Sequence, residues 1–514
     1  MAVRSSDLKR ESIELHMDAS SKVTETINNN VSFATIFVAR FDTKHGNIIE
    51  WQYPKDFDLN GVEFSAMPSG LHLMKKDIIY FVRPPYIGLS VYENIPTFDQ
   101  SQDRGAHMAA VGILVAKTSE TEIYDQPWRH LEFLQSQVRL HVNLSSDYSA
   151  LERFFSEHGS LINSYDGDNV TSGPSSSSSN NESSASMMDA TSSNGIIDKM
   201  NHQELSNSSS HPAHHFSSFI RHFGPSIFVL WKAAILNKRI LFYSAPPVEI
   251  GCYYVYGTCQ LVNFSDNIKQ ILRGRDSAEN NQLQPLFNVG VHEIDMIKLM
   301  KGGFVACTTD RIFQNKQNLY DLLINFSSKA AASSLSNSPF FSSVTTTTSK
   351  SSSFVPSPDP SLLMQKLVNL NSADFQRYRD LSKLLELHDD NNNEERWRPY
   401  SLIEQWQLTL NRWCGYFNTL TSNLLSELNS MITTMSVFES DNDHLISIYP
   451  EHMNTLGLDA RTDNLFIKEL CRIYFGKEVQ VVGGSEGMIE TNLLTLLYNT
   501  LWTIVEMILR CFRI

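Results

Sequence analysis

The chain has 514 residues, 41% hydrophobic and 11% aromatic, which is enough for roughly two to four domains and at least one sizeable core. Its 42 Lys and Arg against 56 Asp and Glu give a formal net charge of −14, which argues against an electrostatic grip on nucleic acid. The six cysteines form no C-x-x-C pair and are too sparse for a disulfide scaffold, so reduced thiols in a cytoplasmic protein are expected.

Residues 1–30 are polar, lack the apolar core of a secretory signal, and are expected to be disordered. No window reaches about 18 uninterrupted apolar residues, which argues against an ordinary transmembrane helix. Apolar and β-branched runs then predict five strands: Phe33 to Arg40, Asn47 to Tyr53, Asp77 to Val82, Tyr86 to Glu93 and Met108 to Ala116. Pro84-Pro85 separates the middle pair, where no ladder donor is available. Leu131, Leu134, Val138 and Val142 follow at helical spacing. Strands followed by helices make residues 31–160 a small α/β module.

Residues 161–215 change character. The run SSSSSNNESSAS cannot bury enough apolar area to offset its ordering entropy and reads as a flexible linker. It ends in HPAHH (211–215), which has no acidic or thiol neighbour to complete a metal site, so no metal is expected. Residues 327–358 form a second Ser/Thr-rich insert. Beyond it, residues 359–482 read as helical. Trp406, Leu410, Trp413, Phe417, Leu420 and Leu424 make a stripe that packs on its own domain or, alternatively, on a second copy.

Between the inserts, residues 216–326 contain FVLWKAAILNKRILFYSAPPV (Phe228 to Val248). Ile227, Leu230, Trp231, Ala234 and Ile235 share a helix face in a segment apolar nearly all round. After Arg239 the period vanishes, and Ile240 to Tyr243 predict a strand covered on both faces. Asn237-Lys238-Arg239 is then a helix-to-strand corner. A phosphate site would need the opposite end of a helix.

Several motifs point to chemistry without completing it. GGSEG (Gly483 to Gly487) follows a strand-like run, as a nucleophile elbow does, but no histidine follows Ser485, so it reads as a hinge. No P-loop, H-E-x-x-H or paired-cysteine zinc pattern occurs. Residues 483–514 carry an apolar stripe (Leu494, Leu497, Leu501, Val505, Ile508) with charges largely off it, predicting an amphipathic helix. That helix docks on its own domain or, alternatively, on a membrane surface. The final CFRI places Cys511 as a prenylation box would, but Arg513 stands where an aliphatic residue is expected.

An ordered series of stretches resembles DENN-domain proteins, most closely their LCHN branch. In the first module these are GVEFSAMPSG (Gly61 to Gly70), DIIYFVRPPYIGLSVYENIP (Asp77 to Pro96) and DRGAHMAAVGIL (Asp103 to Leu114). Further on they are LWKAAILNKRILFYSAPPV, FNVGVHEID (Phe287 to Asp295), VACTTDRIFQNKQNLYDLLI (Val305 to Ile324) and NTLGLDARTDNLFIKEL (Asn454 to Leu470). The resemblance implies a two-lobed α/β protein: a longin-like module over 31–160 and a DENN lobe over 216–326, completed by the helices of 359–482.

It also implies guanine nucleotide exchange on a Rab-type small GTPase in membrane trafficking, with no cofactor, no metal and no covalent chemistry. The alternatives are a trafficking scaffold of the same fold, and a GTPase-activating module using Arg104. The latter rests on the likeness of DRGAHM to the Arg-Gly element of folliculin-type longin modules, where an arginine can stabilise charge on a transferring phosphoryl group. No residue is assigned to GTPase contact at this stage, and the oligomeric state is left open. The expected location is cytoplasmic, with peripheral attachment to membranes as the alternative.

Overall fold

The computed structural model describes residues 33–96, 106–116, 127–143, 145–159, 212–262, 283–326, 367–389, 402–438 and 446–483. The five expected strands are β1 (Phe33–Asp42), β2 (Gly46–Tyr53), β3 (Lys76–Arg83), β4 (Tyr86–Pro96) and β5 (Ala106–Ala116). They form an antiparallel array in the order β2-β1-β5-β4-β3. A short helix, α1 (Val62–Ala66), sits between β2 and β3. After β5 come α2 (Leu131–His141), with Leu131, Leu134 and Val138 buried as its spacing requires, and α3 (Ser149–His158).

The next elements are α4 (Phe216–Phe223) and α5 (Ile227–Ile235), then β6 (Ile240–Tyr243) and α6 (Val248–Gln260). They are followed by β7 (Gln284–Asn288), α7 (Ile294–Leu299), β8 (Phe304–Thr308) and β9 (Leu322–Asn325). These four strands are parallel, in the order β7-β8-β6-β9. Each is buried on both sides. Phe242, Val305 and Ile324 join the main core with α6, while Leu241, Ala306 and Leu323 pack with Ile294, Ile297 and Phe313 in a second cluster. That double burial is why ILFY and FVACT are continuous apolar runs rather than alternating ones.

Phe81 of β3 pairs antiparallel with Phe287 of β7, so the described strands run as one nine-stranded sheet. The mixed α/β class is as expected, while the two expected lobes are here two differently wired halves of a single mixed sheet rather than separate bodies. Among the described residues no break in the sheet separates them.

The Asn-Lys-Arg corner lies where expected. Asn237 takes a left-handed φ of 51°, Lys238 reaches Glu469 at 2.8 Å, and Arg239 grips Asp321 with Nη2 at 2.8 Å. Both cations are thus committed to internal partners rather than to a phosphate.

The later helices are α8 (Ser372–Asp389), α9 (Leu402–Phe438), α10 (Pro450–Thr455) and α11 (Asn464–Phe475). A two-stranded parallel sheet joins β10 (Ile446–Ile448) to β11 (Val479–Val481). The α9 stripe packs within the chain. Trp413 and Phe417 are fully buried, Phe417 lies against Phe228, and Trp231 Nε1 donates to Thr421 at 2.9 Å. The side chains of Trp406 and Leu410 lie outside the described residues, as do Ser485 and the stripe from Leu494 onward.

Lys232 joins these helices to the sheet. Its side chain is fully buried, and Nζ donates to Asp374 Oδ2 (2.7 Å), Asp463 Oδ1 (2.8 Å) and the Asn369 carbonyl (2.7 Å). Arg377 completes the charge balance, with Nη1 on Asp374 at 2.7 Å and Nη2 on the Gly457 carbonyl at 2.9 Å. Two cations and two carboxylates, each hydrogen-bonded, meet the condition under which buried charge is tolerated. This network accounts for much of the NTLGLDARTDN stretch as a structural element. It is closed to substrate.

Candidate interaction surface

Strands in a parallel sheet end together, and loops beyond their carboxyl ends form the usual binding rim of an open α/β sheet. Here that rim is built from both halves of the sheet. Because β3 runs antiparallel to β7, its amino end at Lys76–Asp77 lies level with the residues that follow Asn288. The segment leading into β3 therefore packs beside the loops after β6, β7 and β8.

Three contacts fix this arrangement. Ser65 Oγ of α1 donates to Glu293 Oε1 at 2.6 Å, and Phe64 stacks on His292 with ring centroids 4.0 Å apart. Thr309 Oγ1, just after β8, donates to the Ser69 carbonyl at 2.8 Å. Gly70 closes against the loop after β6: its φ is +89°, and a Cβ there would stand 3.1 Å from Pro246. A side chain would be strained there on both counts. The loops themselves are held locally, since Glu293 Oε2 accepts from Gly290 N–H (2.8 Å) and Asp310 Oδ2 accepts from Val291 N–H (3.1 Å).

Beneath the rim, Asp77 performs a capping role from a distant strand. No side chain local to α6 caps its first turn, which follows Pro246-Pro247. Asp77 instead accepts from Val248 N–H at 2.7 Å and Glu249 N–H at 3.1 Å, and also from Ile78 N–H at 2.8 Å. Burial pushes its carboxyl up to about 7, with the Glu249 charge adding, against the pull of these three donors. In the sequence Asp77 marks only a strand start, and an acid opening an otherwise apolar strand is its one signal.

The rim exposes apolar side chains among polar and charged ones. Leu73 is 74% exposed, and Val291 and Ile312 are also exposed. Leu73 follows the segment held by Gly70, while Val291 and Ile312 flank the Asp310 contact. Among the described residues no group of three or more His, Cys, Asp or Glu could hold a metal. A mixed surface with exposed apolar side chains suits a protein partner better than a small molecule.

The stretches that meet at this rim include GVEFSAMPSG, SAPPV, NVGVHE and TTDR, quoted above for their resemblance to one family. A family model described as DENN domain-containing protein 11 matches residues 36–336. The DENN domain-containing protein 11 of Danio rerio is 32% identical over 448 residues, covering 87% of this chain and 76% of its own length. That of Xenopus laevis is 30% identical, covering 86% and 83%, and that of Rattus norvegicus 31%, covering 87% and 81%. The chain belongs to the DENN domain-containing protein 11 family.

Four of the quoted stretches converge at the rim from separate parts of the chain. Arg104 lies outside the described residues. The nearest described residues on either side in sequence, Pro96 and Ala106, pair with one another. Of the HPAHH run, His211 lies outside the described residues, Pro212 and Ala213 are buried, and His215 stacks on Tyr253 with centroids 3.9 Å apart, where burial pulls its imidazole down to about 3. No helix among the described residues is long and apolar enough to cross a membrane.

Proposed function

We propose that the protein is a guanine nucleotide exchange factor for a Rab-type small GTPase, and that the rim joining the two halves of the sheet is its docking surface. The convergence of Ser65, Glu293, Ser69 and Thr309 at one end of the sheet, beside exposed Leu73, Val291 and Ile312, carries this reading. Exchange needs no nucleophile and no metal of its own. A protein that binds the nucleotide-free GTPase more tightly than the loaded form weakens nucleotide binding by the same factor, by thermodynamic linkage. It does so by holding switch segments away from their phosphate-bound arrangement.

A rigid surface supported from two directions suits that task, and exposed Leu73, Val291 and Ile312 supply apolar anchors for a switch segment. The same reading has the protein working in the cytoplasm, peripherally on membranes that carry the GTPase. The test is release of a fluorescent GDP analogue from a panel of Rab proteins. Acceleration for at least one supports exchange. Binding without acceleration would replace exchange by a scaffold role.

A further inference from the structure

Leu299 is 81% exposed, more than any other large apolar side chain among the described residues. Helix geometry puts it there. α7 buries Ile294 and Ile297 in one cluster with Phe313 and Leu319, and Leu299, two positions after Ile297, falls about 200° round the helix from it. Cations gather about this leucine. Lys298 precedes it, exposed Lys301 follows it, and Lys316, just after the turn Arg311–Asn315, comes close enough to act on Asp295 of the same helix. Lys298 Nζ reaches Asp295 Oδ1 at 2.8 Å, and that bond, with the Lys316 charge, holds the Asp295 carboxyl below its usual range. The corner thus sets Lys298, Lys301 and Lys316 against Asp295, in a chain whose net charge is −14. Its placement is firm, because Gly303 packs on the Asn237 carbonyl so closely that no Cβ fits. From here β8 runs back to Thr309 at the rim, so the corner lies at the opposite end of the sheet, roughly 16 Å away at the rise of a strand.

A single leucine among lysines suits a protein partner poorly, since protein contacts are built on a broader apolar core and are depleted in lysine. It suits a bilayer. The leucine enters the acyl boundary, the lysine stems lie along it, and their ammonium groups meet anionic headgroups. We propose that the corner between α7 and β8, Leu299 flanked by Lys298, Lys301 and Lys316, is a contact site for anionic phospholipid bilayers. The contact rests on the peripheral membrane placement proposed above, and it turns the rim away from the bilayer, free for a GTPase. One apolar side chain and a few charges give a weak, reversible attachment, which orients the protein rather than anchoring it.

Flotation of the full chain with vesicles tests this, comparing phosphatidylserine mixed into phosphatidylcholine with phosphatidylcholine alone. The wild type should bind the anionic vesicles preferentially and release them as salt rises. Leu299→Asp should weaken that binding by about tenfold or more, since an inserted leucine gives way to an anion at a negative surface. Lys301→Glu should weaken it by about tenfold through charge alone. Both positions are exposed, so the fold should persist, and GDP release measured without vesicles should be unchanged by either substitution. Loss of lipid contact and loss of exchange are therefore read separately. No preference for anionic vesicles in the wild type would overturn the lipid contact, as would binding that neither substitution weakens.

Discussion

Ser65 Oγ donates to Glu293 Oε1 across 2.6 Å, although 228 positions separate them in the chain. The other Glu293 oxygen accepts the Gly290 N–H, so one carboxylate fixes both the turn after β7 and the neighbouring helix α1. Glu293→Ala should cost about 1–3 kcal/mol, because two donors lose their acceptor in a part-buried site. Urea denaturation measures it. A change below about 0.5 kcal/mol, the scale of an ordinary surface substitution, would show that the bridge does not hold the rim together.

Leu73 presents the opposite case. At 74% exposure it contributes little to the fold, so Leu73→Asp should leave stability within about 0.5 kcal/mol. The same change places a charge on the proposed docking face and should weaken GTPase binding by about tenfold or more. Calorimetric titration against the responsive GTPase checks this. Unaltered affinity would move the docking site away from the rim.

Lys232 should behave as structure alone. Lys232→Met strands the Asp374 and Asp463 carboxylates in a dry site, and removal of one partner from such a network costs about 3–5 kcal/mol. A denaturation midpoint close to wild type would contradict the buried geometry.

Acid stability carries a separate signature. His222 packs among the rings of Phe223, Tyr254 and Phe326, and burial pulls its imidazole down to about 4. Its folded value lies below the unfolded one near 6.5, so the unfolded chain takes up the proton first as pH falls. Stability should therefore drop from about pH 6.5 to pH 4, and His222→Phe should make that drop shallower. An identical acid profile in wild type and variant would rule out this account of His222.

Much of the fold is legible in the residues. Runs of β-branched and aromatic side chains locate β1 to β5 within a few positions of their observed ends, and the apolar helix and strand around Trp231 and Phe242 follow from a change of period. The joint between the two halves is not legible. It rests on one strand pairing, Phe81 opposite Phe287, and on contacts such as Asp77 to Val248 that link residues 171 positions apart. Helix α1 escaped as well: at five residues it spans little more than one turn, and Gly61 before it provides no side-chain cap. The rim is therefore invisible as a pattern, since each of its loops is an ordinary polar connection until the sheet brings them together.

GDP release from the Rab panel, measured with the wild type and with Leu73→Asp side by side, tests the central claim most directly. Acceleration of at least one GTPase by the wild type, with clear loss in the variant at unchanged stability, is the predicted result. Equal acceleration by both proteins, or none by either despite measurable binding, would contradict exchange at this rim.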